Sequence, residues 1–125
     1  MRLAAAGLLA AVLAGCGGRS PTAAERFASS GNAICRDTAK KSLELRQQQP
    51  TGYRAKLSAL GREGQRRLKA VEPPAELRAQ RIRFFADLKE LGRVANSPGE
   101  RPRAVDLMNR LPVEARALGW TDCAG

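Results

Sequence analysis

Between residues 22 and 49 the apolar or small residues Phe27, Gly31, Ile34, Cys35, Ala39, Ser42 and Leu45 recur at spacings of three and four. That period draws one stripe along a helix, with Arg36, Lys40, Lys41 and Glu44 falling mostly off it. Pro50 and Gly52 break the pattern, and a second helix is expected from about Thr51, which offers a capping hydroxyl. Tyr53, Leu57, Leu60, Gly64, Leu68 and Val71 continue the helical period as far as Pro73 and Pro74, a pair that stops one helix and can begin the next. A third stripe runs through Leu77, Arg81, Phe84 or Phe85, Leu88, Leu91 and Ala95, and ends at the turn-forming run Asn96, Ser97, Pro98, Gly99. A fourth, from about Pro102, uses Val105, Met108, Leu111, Ala115 and Leu118, with Pro112 predicting either a kink or two short helices.

Four helical patterns joined by short turns predict an all-α domain, an antiparallel four-helix bundle in which consecutive helices lie side by side. Composition agrees. Apolar residues make up 43% of the chain but aromatics only 4%, so the core must come from Leu, Ala, Val and Ile with a few rings, a mixture that suits helices better than sheets. With 125 residues there is room for one domain. Trp120 is expected to cover the end of the bundle; the other reading is an exposed platform for a ligand.

The N-terminus changes the picture. One positive residue, Arg2, precedes an unbroken apolar stretch from Leu3 to Leu13, followed by the small residues Ala14 and Gly15. The stretch is shorter than the about 20 residues needed to span a bilayer. Leu13, Ala14, Gly15 and Cys16 close it, and these four resemble, residue for residue, the lipobox of bacterial lipoproteins. The resemblance covers the first 16 residues and implies transfer of a diacylglycerol to the Cys16 thiol, then cleavage between Gly15 and Cys16. It further implies a protein held at the extracytoplasmic face of the cell membrane by its acyl chains, each buried methylene contributing about 0.8 kcal/mol. On this reading residues 1–15 are a signal peptide, 16–22 a short lipidated tether, and 23–125 the helical bundle.

With Cys16 assigned to lipid, Cys35 and Cys123 remain as an even pair in an exported chain, where oxidising surroundings favour a disulfide. Two free thiols or a redox pair are the alternatives, although no Cys-x-x-Cys spacing is present. A bond would tie the first helix to the C-terminal tail. The layout of lipobox, leading helix with a cysteine, double proline and C-terminal cysteine is similar to that of small helical lipoproteins of high-GC actinobacteria. That similarity implies a location and a shape, and supplies neither an activity nor binding residues.

Charge and chemistry narrow the function classes. The formal net charge is +10, from 22 Lys and Arg against 12 Asp and Glu spread along the chain, which reads as a solvated basic surface or as attraction to a polyanion. Arg62, Arg66 and Lys69 share a helical face and are candidates for contact with anionic lipid headgroups or cell-wall polymers, joined by Arg78, Arg81 and Arg83 on the third helix. An exported chain disfavours nucleic acid as the partner. The absence of histidine removes the commonest general base and any Ser, His, Asp triad, and the cysteine pair leaves little for a metal site. Glu72 with Glu76, and Asp87 with Glu90, stand one helical turn apart, but their Arg and Lys neighbours read as surface ion pairing. Gly61 and Gly64 lack the strand and the Gly-Lys-Ser pattern of a phosphate loop and are read as permitting close helix approach. The expectation is a non-enzymatic structural or interaction module of the envelope, without cofactor or metal. The alternative is a solute-binding or sensing lipoprotein that holds its ligand between helices.

Overall fold

The structure is a computed structural model that describes residues 18–125. Gly15 and Cys16, and with them the signal, cleavage and lipidation readings, lie outside the described residues. Four helices follow one another: α1, Ala23–Gln48; α2, Tyr53–Ala70; α3, Arg78–Val94; and α4, Arg101–Ala117. Short 3₁₀ turns at Ala75–Leu77, Pro98–Glu100 and Thr121–Cys123 precede α3, precede α4 and end the chain. Among the described residues there is no strand, and no helix is long and apolar enough to cross a membrane.

Local chemistry sets the boundaries. The hydroxyl of Thr22 accepts from the amide of Glu25 at 3.1 Å and caps α1. At the other end Gln49 takes a left-handed conformation, with φ at 43°. The cap of α2 is Gly52 at φ 72° rather than Thr51: the tight return from α1 needs a positive φ there, which glycine adopts without a steric cost. Helix α4 continues through Pro112 as one element, which excludes two short helices; the proline removes one backbone donor without ending the helix.

Helix α1 lies along α2, and α3 along α4, as two antiparallel hairpins. Their apolar faces close on one core: Phe27 and Ile34 from α1, Leu68 from α2, Phe84 from α3, and Leu111 and Ala115 from α4, sealed by Leu118 and Trp120. A smaller cluster of Val94, Ala104 and Leu107 closes the far end of the α3–α4 hairpin. Here the expected face of α4 is corrected. Val105 and Met108 are 44% and 53% exposed, while Ala104 and Leu107 are buried, so the first half of the helix turns its neighbouring stripe inward. Gly64 does mark a close approach, since a Cβ there would sit 3.0 Å from the Thr38 hydroxyl, whereas a Cβ on Gly61 would meet nothing.

Candidate functional site

The C-terminal segment is clamped onto α1. Gly119, at φ 80°, turns the chain out of α4, and Trp120 enters the core with its ring 4.7 Å from that of Phe27 and edge-on to Phe84 at 5.6 Å. Its indole N–H donates to the carbonyl of Phe27 at 3.1 Å, so the polar edge of a fully buried ring is satisfied. Trp120 therefore closes the core where α1 begins and is not an exposed ligand platform. Beyond it, Asn32 donates from Nδ2 to the carbonyl of Gly119 and accepts at Oδ1 from the amide of Asp122, both at 3.0 Å. Arg36 pairs with Asp122 at 2.5 Å. Cys35 and Cys123 then form a disulfide with their Cα atoms 5.2 Å apart, closing 88 residues of sequence.

The proposed basic face is divided. Arg62, Arg66 and Lys69 are all exposed, but Arg66 reaches Glu63 through two nitrogens, at 2.8 and 2.5 Å. That pairing holds the Glu63 carboxyl below its usual range and locally neutralises the arginine. Lys69 instead joins a different group, with Nζ 5.5 Å from the Phe85 ring centre and the Arg81 guanidinium 5.4 Å from it. Arg81 also donates to the carbonyl of Lys69, which fixes the start of α3 against the end of α2. Arg67 turns to α1 and binds Asp37 at 2.6 Å, so it ties helices together; Lys41 and Arg67 hold the Asp37 carboxyl low. Arg62 stands seven residues, or about 10 Å, from Lys69 along α2.

A carboxyl pair that sequence reasoning missed lies between α3 and α4. Asp87 is 8% exposed and meets Glu114 from the facing helix, with Arg110 Nη2 at 2.9 Å from Asp87 Oδ2 and 3.7 Å from Glu114 Oε1. The Arg110 approach to Asp87 is close but off the hydrogen-bonding direction, and both Asp87 Oδ2 and Glu114 Oε2 lack a donor among the described residues. In its protonated form Glu114 supplies one donor to the pair. Burial, then the hydrogen bond to Asp87 and its charge, push Glu114 up to about 7, against the opposing pull of Arg110 and Arg83. The expected pairings differ: Glu90 binds Arg93 at 2.6 Å, and Glu72 and Glu76 are exposed. Asp87 and Glu114 are too far apart in sequence for spacing to reveal them. The available signal is the position of Asp87 in the stripe Phe84, Asp87, Leu91, Val94.

Between α1 and α2, beside the disulfide, an open groove of about 320 Å³ is lined by Ile34, Thr38, Gln65, Leu68, Phe84 and Leu88 among others. No set of three or more His, Cys, Asp or Glu residues among the described residues is placed to hold a metal ion. These features define a disulfide-closed helical domain of two packed hairpins. No protein-family model, no curated protein and no solved structure matches the chain.

Proposed function

We propose that this chain is an extracytoplasmic lipoprotein, anchored in the cell membrane through Cys16 and serving as a non-enzymatic structural or interaction module of the envelope. The observation that carries the reading is the division of labour among three cysteines. Cys35 and Cys123 are bonded to each other, so Cys16 has neither of them as partner, and it stands in the lipobox pattern Leu13, Ala14, Gly15, Cys16. A disulfide that staples the domain also fits an oxidising compartment. Thr22, the cap of α1, follows Cys16 by six residues, a spacing that leaves a short tether between anchor and bundle. The interior contributes to the non-enzymatic part of the reading: apart from the Asp87 and Glu114 pair the core is apolar, and most exposed carboxylates near α1, α2 and the start of α4 face arginine or lysine.

The test is Cys16→Ser in a bacterium that processes lipoproteins. Incorporation of a labelled fatty acid is expected to vanish, with a larger precursor accumulating; labelling that persists in the variant contradicts the anchor. The groove beside the disulfide favours a second reading, a solute-binding lipoprotein. Native mass spectrometry of the purified protein checks it: a co-purifying apolar molecule lost on Leu68→Gln supports that reading, and a ligand-free mass opposes it.

A further inference from the structure

Resting on the lipid anchor at Cys16, we propose that the end of the bundle where α1 begins lies directly on anionic lipid headgroups, with Arg26, Lys69, Arg78 and Arg116 meeting the phosphates and Ile82 entering the interface between them. The topology gathers these residues. Antiparallel hairpins bring the start of α1, the end of α2, the start of α3 and the end of α4 to one end of the molecule. Contacts fix that arrangement: Ala23, Arg26 and Phe27 border the same hollow as Val71, Pro73 and Pro74, Arg81 is bonded to Lys69, and Trp120 lies on Phe27.

Reach selects this end over the other. Six residues from Cys16 to Thr22 span at most about 20 Å even fully extended. Helix α1, with 26 residues, is about 39 Å long, so its far end at Gln48 stands beyond the tether when the near end faces the membrane. The far end carries exposed cations of its own, Arg46, Arg54, Lys56, Arg101 and Arg103, so reach and not charge chooses between the ends, and the near end supplies the charge that docking needs. Arg26, Lys69, Arg78 and Arg116 are exposed at the near end, and the acidic residues there are Glu25, already paired with Arg19 at 2.6 Å, and Glu72 and Glu76 in the connection to α3. Each arginine or lysine near an anionic surface contributes about 1 kcal/mol.

Ile82 separates a membrane from a soluble polyanion. It is 68% exposed, more than any other large apolar residue among the described ones, and sits in the second turn of α3 flanked by Arg81 and Arg83. Ala79 and Ala86, exposed at helical spacing on either side of it, leave that stripe free of charge. A wall polymer offers negative charge alone; an isoleucine within a basic collar gains only where charge and apolar depth meet, at the boundary between headgroups and acyl chains.

The test uses the full processed protein, purified with its acyl chains and placed in nanodiscs of phosphatidylcholine with or without phosphatidylglycerol, and reads amide hydrogen exchange by peptide. Peptides covering residues 66–83 are expected to exchange roughly fivefold more slowly in the anionic discs, the factor one arginine supplies. Peptides over 93–104, at the opposite end, are expected to be unchanged. Raising the salt concentration and the exposed-site variants Arg78→Glu with Ile82→Ser should each remove the difference. Equal exchange in both discs, or protection spread evenly to residues 93–104, overturns the docking while leaving the anchor intact. An intact mass of the same sample without acyl chains overturns both.

Discussion

A Cβ built on Gly31 lies 2.0 Å from Nε1 of Trp120, so the indole occupies the space where any larger residue of α1 would stand. The ring has no room to retreat, because Phe27 and Phe84 pack against it and its N–H is bonded to the Phe27 carbonyl. Gly31→Ala is therefore expected to destabilise the domain by about 3 kcal/mol, at the upper end for overpacking. Denaturant unfolding measures the cost. In a double-mutant cycle Trp120→Phe should relieve part of it, and strictly additive effects of the two changes would show that the two sites do not meet.

The disulfide adds a second constraint at the same place. A closed loop of 88 residues is stabilising by about 4 to 5 kcal/mol in the chain-entropy account. Reduction, or Cys35→Ser with Cys123→Ser, should lower the unfolding midpoint strongly, and more than Arg36→Ala, which removes a half-exposed ion pair worth about 0 to 1 kcal/mol. A midpoint indifferent to reductant would contradict the clamp.

Most of the fold is legible in the sequence because each helix carries one dominant stripe bounded by strong breakers. Phe27, Gly31 and Ile34, like Leu68 and Leu111, fall inward where the period places them. Helix α4 fails in its first half for a physical reason. Ala104 with Leu107 and Val105 with Met108 are both apolar pairs three residues apart, about 100° round the helix from each other, and periodicity alone does not choose between them. Packing against Val94 chooses the first pair. Leu107→Ala should accordingly cost about 2 to 5 kcal/mol and Met108→Ala less than about 0.5 kcal/mol. Equal costs in thermal unfolding would restore the original face.

The candidate sites are less legible, since their partners come from different helices. Asp87 reads as a surface charge until Glu114 and Arg110 of α4 are set against it, and Arg66 reads as part of a basic face until Glu63 folds onto it. Trp120 gives no sign in the local sequence that Gly31 is cut out to receive it.

The carboxyl pair makes stability depend on pH in a definite direction. Glu114 has its folded value raised from 4.5 to about 7, so the fold favours the acid form. The contribution is complete below pH 4.5, declines as the pH rises, and is lost above about 7, where a second negative charge stands beside Asp87. Glu114→Gln keeps a neutral donor at all pH values. It is expected to stabilise the protein at pH 8 by about 1 to 2 kcal/mol and to flatten the profile between pH 5 and pH 8. A variant that retains the wild-type slope would show that the dependence arises elsewhere.

The central claim, an exported domain held by lipid on one cysteine and closed by a disulfide between the other two, is tested most directly by intact mass. The protein would be extracted from membranes of a lipoprotein-processing bacterium and weighed with and without reductant. The account predicts a chain beginning at Cys16, increased by its acyl chains, that gains two hydrogens on reduction. A mass that retains Met1, or that begins at Cys16 without lipid, would contradict it.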